Sequence, residues 1–148
     1  MPGVFHQPGH ARSTLGMDRR GARELSRAIT DAGITAADVD AVNTHGTGTV
    51  SNDEVESAVI ERLFGQRLLV TATKSLTGHC LGASGPIEAA VTALSLRDQK
   101  VHGYVNLQDP VRPLNFVRQA TDAHLRWTVS QSSAFGGHNA AIVLRRAE

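Results

Sequence analysis

The sequence has little of what several large classes of protein depend on. It contains one cysteine, Cys80, so no disulfide can form within the chain, and a reducing, cytoplasmic compartment is expected. Aromatic residues make up only 4% of the chain and its arginines are interspersed with acids, so we expect no nucleic-acid partner. Apolar runs are only a few residues long, so no membrane-spanning segment is expected. The glycine-rich loops of nucleotide-binding enzymes are absent as well.

What remains is the composition of an ordinary globular domain. The chain has 148 residues, of which 41% are hydrophobic and 20% charged, and its formal net charge is +1. A chain of this length normally folds as one domain. Residues 1–19 contain several glycines, prolines and histidines and predict an irregular N-terminal arm. Residues 20–148 are expected to form the folded domain.

Hydrophobic spacing in that domain predicts alternating helices and strands. The first predicted helix carries Leu25 and Ile29 and stops at Gly33. The second is capped by Ser51 or Asn52 and ends at Gly65. The third covers residues 83–98. The predicted strands are 40–44, 68–72, 125–130 and 140–144. Residues 73–82 and 99–124 predict loops, and 132–138 predict a hairpin turn. This order is typical of an α/β domain with a mainly parallel sheet and a C-terminal antiparallel hairpin.

The third predicted helix is rich in alanine, glycine and serine. Ile87, Ala90, Val91, Leu94 and Ser95 line one of its faces at helical spacing. Small residues let a helix approach its neighbours closely, so we expect this helix to be buried.

Polar, glycine-containing segments follow the predicted strands, where ligands bind in open α/β sheets. The first, VNTHGTGT over 42–49, places His45 directly after a buried strand, with Thr47 and Thr49 following. Glycines there let a substrate approach the backbone, and threonines supply hydroxyl groups. The alternative is a tight strand-to-helix turn with a solvated histidine.

The second segment, TKSLTGHCLGASG over 73–85, carries Lys74 and His79. It ends at a helix N-terminus, which favours negative charge, and a nearby lysine tends to keep an imidazole neutral. The alternative is an exposed lysine beside a helix-capping histidine. Adjacent His79 and Cys80 make a poor zinc site, so no metal is expected. Cys80, next to Leu81 and a small-residue helix, is expected to be buried and inert.

The third segment, SSAFGGHN over 132–139, places Gly136 and Gly137 in the predicted hairpin. Consecutive glycines suggest a tight backbone path beside a ligand. A hairpin turn without a ligand is the alternative.

The ordered strings VNTHGTGT with a following ND, TKSLTGH.LGASG and FGG.N resemble the C-terminal half of β-ketoacyl-ACP synthases, a family that includes polyketide ketosynthases. The resemblance covers about residues 20–146. It implies a thiolase-like half-domain and decarboxylative Claisen condensation of acyl and malonyl thioesters in fatty-acid or polyketide synthesis, without a cofactor.

The resemblance also implies roles for single residues. His45 and His79 match the histidines that bind the malonyl thioester carbonyl and promote loss of CO₂. Lys74 matches a lysine that organises the site electrostatically, and Glu56 matches an acid that often pairs with that lysine. Thr47 is expected to support the site.

Further matches lie beside these residues. Thr49 is a second supporting threonine. Phe135, Gly136 and Gly137 match a loop that helps to form an oxyanion hole. Ser133 stands where the family often has a phenylalanine that gates the acyl pocket.

The family's nucleophilic cysteine lies in its N-terminal half, and the family's opening strand precedes the first helix matched here. We therefore expect a half-subunit that is completed by a separate N-terminal-half chain carrying the cysteine. Acyl carrier protein and a further two-fold repeat of the pair are the other expected partners. A non-catalytic subunit similar to a chain-length factor, and a fragment of a full-length synthase, are the alternatives.

Overall fold

The computed structural model describes residues 10–147, with side chains from residue 21 onward. The helices are α1 His10–Asp31, α2 Val50–Phe64, α3 Lys74–Thr77 and α4 Ser84–Asp98. The strands are β1 Ala41–Asn43, β2 Leu69–Thr71, β3 Lys100–Val101, β4 Thr121–Asp122, β5 Trp127–Ala134 and β6 His138–Arg145. Short 3-10 turns cover Ala36–Asp38, Leu81–Ala83 and Phe135–Gly137. Within the described part of the chain, no helix has the length and apolar character that crossing a membrane requires.

The main sheet has four strands in the order β2-β1-β5-β6. Strand β1 runs parallel to both β2 and β5, so that Val42 lies opposite Val70 and Val129. Strand β6 runs antiparallel to β5 and forms the C-terminal hairpin. The predicted mainly parallel sheet with its antiparallel hairpin is therefore confirmed. Strands β3 and β4 form a separate antiparallel pair within a segment that was expected to be loop.

The sheet forms a middle layer between helices. Successive side chains of a strand point to opposite faces, so β1 serves both sides. Val42 packs with Leu25 of α1 in one core cluster, whereas Ala41 packs with Leu96 of α4 in the other. Asn43 follows Ala41 toward the α4 side and brings a polar group between the sheet and that helix.

The N-terminal prediction needs a correction. Helix α1 begins at His10, so the expected irregular arm is wrong for residues 10–19, and residues 1–9 lie outside the described part. The sequence of residues 10–19 allows a helix, because the last proline of the arm is Pro8 and a glycine inside a helix costs only about 1 kcal/mol. The expected stop is confirmed, because Gly33 adopts a φ of +70° just after the helix ends.

Three local predictions are also corrected. Helix α2 is capped by Thr49, whose hydroxyl accepts the backbone N–H of Asn52 at 3.4 Å, and not by Ser51 or Asn52. Lys74 opens the short helix α3 rather than lying in an irregular loop. Strand β5 extends through Ser133 to Ala134, because cross-strand pairing with β6 holds these polar residues in the ladder.

Helix α4 packs against the sheet with its polar face, whereas its apolar face was expected to be buried. Its buried residues are Ser84, Glu88, Thr92 and Leu96. Leu94, on the predicted apolar face, is 45% exposed. The polar face is turned inward because Glu88 and Thr92 find partners at the ends of the strands.

Candidate active site

Two histidines meet where the parallel strands end. His45 lies in the loop just after β1. His79 lies just after α3, the short helix that follows β2. Their ring centroids lie 5.7 Å apart, and the ring planes are nearly perpendicular, at 88°. His45 is 8% exposed, whereas His79 is open to solvent. The two imidazoles therefore lie side by side at this edge of the sheet.

Hydrogen bonding sets the same tautomer in both rings. His45 Nδ1 lies 3.3 Å from the Lys74 ammonium, which can only donate. His79 Nδ1 accepts the backbone N–H of Leu81 at 3.1 Å and lies 3.3 Å from the Ser84 hydroxyl. A neutral imidazole that accepts at Nδ1 carries its proton on Nε2. Each histidine therefore offers one Nε2–H donor.

Lys74 is held by an ion pair beneath the histidines. Its ammonium contacts the carboxylate of Glu88, and the two side chains are 3% and 1% exposed. Ser132 donates to the other carboxylate oxygen of Glu88 at 3.1 Å. Glu88 and Ser132 were missed by the sequence analysis. A single acid in the middle of a small-residue helix was the available signal for Glu88.

His45 is kept neutral by its surroundings. Burial is the largest cause, and the nearby Lys74 and His79 add to it, so that the pKa of His45 is lowered from 6.5 to about 4. At neutral pH the ring is therefore uncharged and keeps the Nδ1 acceptor that faces Lys74.

Glu56 has a different position from the one expected. Its carboxylate accepts the backbone N–H groups of His45 at 2.6 Å and Gly46 at 2.9 Å, together with the side-chain amide of Asn52 at 2.9 Å. Burial raises the pKa of Glu56 despite these hydrogen bonds. Among the described residues, the acid beside Lys74 is Glu88, so the predicted Glu56–Lys74 pair is wrong. Glu56 instead fixes the backbone from which His45 projects.

The two supporting threonines lie next to each other in the same loop. Their hydroxyl oxygens are 3.1 Å apart, and Thr49 also caps α2. Thr47 lines a cavity of about 470 Å³ behind the loop, together with Glu56 and Tyr104. Lys74 also lines that cavity, whereas neither imidazole does.

The third predicted segment forms the tip of the β5–β6 hairpin. Gly136 and Gly137 have φ angles of +79° and +76°, a region that side chains disfavour. Phe135 is 79% exposed, and Ser133 is paired with Asn139 within the ladder. The two glycines therefore form the hairpin turn, and their place beside a ligand stays a prediction.

A buried polar network behind the site was also missed. The side-chain amide of Asn43 donates to the Thr73 hydroxyl at 2.8 Å and to the Thr92 hydroxyl at 3.2 Å. His102 lies 3.3 Å from the same Thr73 hydroxyl. These groups surround the residue that precedes Lys74, and no sequence motif marks them.

Cys80 is exposed, so the expectation of burial is wrong. It lies in the segment between α3 and α4, where the apolar residues adjacent to it in sequence do not bury its side chain. Within residues 10–147, no cluster of three or more histidine, cysteine or acidic side chains could hold a metal ion.

The chain matches the family described as beta-ketoacyl synthase, C-terminal domain, over residues 4–108. The chain belongs to this family. A curated relative, 3-oxoacyl-[acyl-carrier-protein] synthase 2 of Staphylococcus aureus strain COL, is 42% identical over 134 residues. That match covers 86% of this chain and 32% of the relative, so the chain spans about a third of the length of the curated relatives it matches.

Solved ketosynthase structures share the fold. The ishigamide ketosynthase/chain length factor superimposes with a TM-score of 0.83 at 34% identity, covering 87% of this chain and 34% of that one. A type II PKS acyl-carrier protein in complex with its ketosynthase gives a TM-score of 0.84 at 30% identity, with 90% and 34% covered. The thiolase-like fold of this ketosynthase C-terminal domain is thereby shown.

Proposed function

We propose that this chain supplies the two histidines and the lysine of a β-ketoacyl-ACP synthase that performs decarboxylative Claisen condensation. The observation that carries the proposal is the pair of imidazoles with ring centroids 5.7 Å apart, in which Nδ1 of each ring faces a hydrogen-bond donor and Nε2 is left to donate. Two N–H donors on neighbouring rings suit a developing oxyanion. The nucleophilic cysteine would come from a complementary N-terminal half on a separate chain.

The reaction proceeds through an enolate. A malonyl thioester loses CO₂ when its C–C bond breaks, and the electron pair moves onto the thioester oxygen. His45 and His79 donate to that oxygen while it gains charge, an effect of about 3–4 kcal/mol per oriented donor. The enolate carbon then attacks the acyl thioester on the partner's cysteine. A new C–C bond forms, and the cysteine thiolate leaves.

Lys74 and Glu88 keep the donors ready. The Lys74 ammonium occupies His45 Nδ1, which leaves the ring proton on Nε2. Glu88 balances the buried ammonium, since an isolated buried charge would be strongly unfavourable. Glu56 holds the His45 backbone, and Gly136 and Gly137 leave the hairpin backbone open to the acyl thioester.

Two features support a partner that carries the missing half. On the predicted apolar face of α4, Ala90 and Leu94 are exposed, and β6 is the last strand of the main sheet in the described chain. Solved relatives of the same fold are a ketosynthase/chain length factor and a ketosynthase in complex with its acyl-carrier protein. Acyl carrier protein is accordingly proposed as the carrier of both thioesters.

The test is CO₂ release from malonyl-ACP by the chain assembled with a complementary N-terminal half. His79→Ala and His45→Ala are each expected to lower the rate about a hundredfold or more, as the loss of an oxyanion donor does. His124→Ala, an exposed histidine away from the site, is the matched control and should keep the wild-type rate.

Unimpaired decarboxylation by the His79→Ala complex would contradict the proposal. A stable complex that releases no CO₂ with either wild-type or variant chains would favour the alternative of a non-catalytic subunit similar to a chain-length factor.

A further inference from the structure

Residues 102–104, His-Gly-Tyr, reach the two residues that directly precede His45 and Lys74. Tyr104 contacts Thr44, and His102 contacts Thr73. We propose that this tripeptide is a positioning strap that sets the orientation of both site residues. Its effect on catalysis rests on the function proposed above, whereas its effect on the order of the two loops does not.

The Tyr104 contact has a defined direction. Thr44 Oγ1 lies 3.1 Å from the Tyr104 hydroxyl and donates its own proton to the carbonyl of Thr71 at 3.1 Å. The Tyr104 hydroxyl must therefore be the donor to Thr44. Its ring stands edge-on to Phe116 with centroids 5.4 Å apart, which fixes where the hydroxyl lies. Burial raises the pKa of Tyr104, so the donor proton is retained.

The position of Thr44 in turn restricts the position of His45, because the turn that contains both residues is closely packed. Gly46 has a φ of +47°, and a Cβ there would lie 2.5 Å from Ala72 Cβ and 2.9 Å from the Thr44 hydroxyl. The turn is thus packed closely against Thr44 and Ala72, with no room for a side chain at Gly46. Rotation of Thr44 away from Tyr104 would displace the backbone from which His45 projects.

His102 makes the matching contact beyond β2. Its Nδ1 lies 3.3 Å from the Gly103 carbonyl, which only accepts, so Nδ1 carries the proton. Its Nε2 then accepts from the Thr73 hydroxyl at 3.3 Å, and that hydroxyl in turn accepts from the amide of Asn43. Thr71 also donates to the backbone carbonyl of His102 at 2.8 Å. The residue before Lys74 is therefore tied to the strap.

The strap itself is anchored by its backbone. Tyr104 donates its N–H to the carbonyl of Val117 at 2.7 Å. A Cβ on Gly103 would lie 2.8 Å from Gln119 Cα and 2.9 Å from the Arg118 carbonyl oxygen. Only glycine allows this close approach, so His102 and Tyr104 project from a segment held firmly against residues 117–119.

The experiment compares Tyr104→Phe, Thr44→Val and the double variant in the assembled complex. Tyr104→Phe keeps the ring and removes one hydrogen bond. We expect kcat for malonyl-ACP decarboxylation to fall about three- to tenfold with KM unchanged. The double variant should be no slower than Thr44→Val alone, because both single changes break the same contact.

Hydrogen exchange measured by mass spectrometry gives a readout that needs no catalysis. Tyr104→Phe should speed exchange at residues 44–48, and His102→Leu should speed it at 73–77, while α1 stays protected. His102→Asn retains an acceptor and should restore part of that protection. Asp98→Asn is the control, since it removes only an exposed ion pair with Arg97 and should leave both kcat and the exchange of the two loops unchanged.

Additive effects of Tyr104→Phe and Thr44→Val on kcat, or unchanged exchange at both loops in the two strap variants, would overturn the strap. A wild-type complex that releases no CO₂ would refute the proposed function, and the exchange data would still decide whether the strap orders the loops.

Discussion

Lys74 on α3 and Glu88 on α4 form an ion pair that is almost completely removed from solvent. Burying two charges is costly, and their attraction offsets that cost only when the geometry and the surrounding hydrogen bonds are good. Here Ser132 donates to Glu88, and Lys74 also reaches His45 Nδ1. The pair links the sheet ends to α4 and supports the imidazole at the same time.

Removal of one partner should destabilise the protein strongly. Glu88→Leu leaves the Lys74 ammonium buried without a counter-charge, and breaking such a pair costs about 3–5 kcal/mol. The double variant Lys74→Met/Glu88→Leu should recover most of this loss, because two apolar side chains fill the same space. Urea unfolding of the assembled complex measures both. Asp98→Asn, which breaks the exposed pair with Arg97, should leave the unfolding midpoint nearly unchanged.

Equal stability of Glu88→Leu and wild type would show that the ammonium finds another partner or solvent. It would remove the argument that this pair is needed to hold Lys74 below the histidines.

The low pKa of His45 should rise when the lysine is removed. Burial lowers it most, and the Lys74 charge lowers it further, to about 4. In Lys74→Met/Glu88→Leu the neighbouring cation is gone but the burial remains. The His45 pKa should therefore move upward and stay below 6.5, and protonation should begin at a higher pH than in the wild type.

An NMR titration of the histidine Cε1–H signals measures this shift, with the His45 signal assigned from a His45→Gln variant. Lys100→Met is the control, since Lys100 pairs with Asp122 at the surface, and it should leave the titration unchanged. A His45 pKa that is the same in the double variant would mean that Lys74 does not set the charge of the ring.

The sequence predicted the parts of the site that adjacent residues encode. His45 and His79 follow strand ends, and parallel strands bring those ends to one edge of the sheet, so their meeting could be expected. Glu88 could not be placed, because only the rotation of α4 turns it toward Lys74. The expected Glu56–Lys74 pair failed for the same reason: the partner of a buried charge is chosen by tertiary packing, not by spacing along the chain.

Local periodicity also could not tell which face of a helix is covered. Helix α4 has an apolar stripe and a polar stripe, and the sequence favoured burial of the apolar one. In the chain it is the polar stripe, with Glu88 and Thr92, that meets the sheet. His102 and Tyr104 were missed because residues 99–124 carry no periodic pattern, although their side chains contact the residues that precede His45 and Lys74.

Cys80 should behave as an accessible thiol that takes no part in the reaction. It is exposed, and its sulfur lies 3.7 Å from the carbonyl oxygen of Thr77. We expect a thiol-specific reagent to label it in the native chain purified by itself. Cys80→Ser should keep the decarboxylation rate of the assembled complex within about twofold of wild type, since Ser is close in size and the change removes only an exposed sulfur.

Mass spectrometry after incubation with acyl-ACP provides the second check, and no acyl group should appear on Cys80. An acyl-Cys80 adduct that transfers its acyl group to malonyl-ACP would contradict the assignment of the nucleophile to the complementary half.

The exposed face of α4 should be the main contact with that half. Leu94 is 45% exposed and Ala90 is exposed beside it, with Ile87 and Val91 only partly covered. Monomeric proteins rarely leave large contiguous apolar patches open, and obligate interfaces commonly bury about 2,000 Å² or more. The chain purified by itself should therefore self-associate, and the complementary half should convert it into a defined complex whose mass is measured by light scattering.

A single charge on this face should weaken the complex. Leu94→Arg would place a guanidinium in an apolar contact without a partner, and we expect the Kd for the complementary half to rise about tenfold or more. Glu54→Arg, at an exposed position on α2, adds an arginine elsewhere on the surface and should leave the Kd within about twofold. Equal affinities for Leu94→Arg and wild type, measured by titration calorimetry, would move the interface away from α4. A monodisperse monomer of 15.7 kDa that binds no complementary half would remove the split-enzyme proposal altogether.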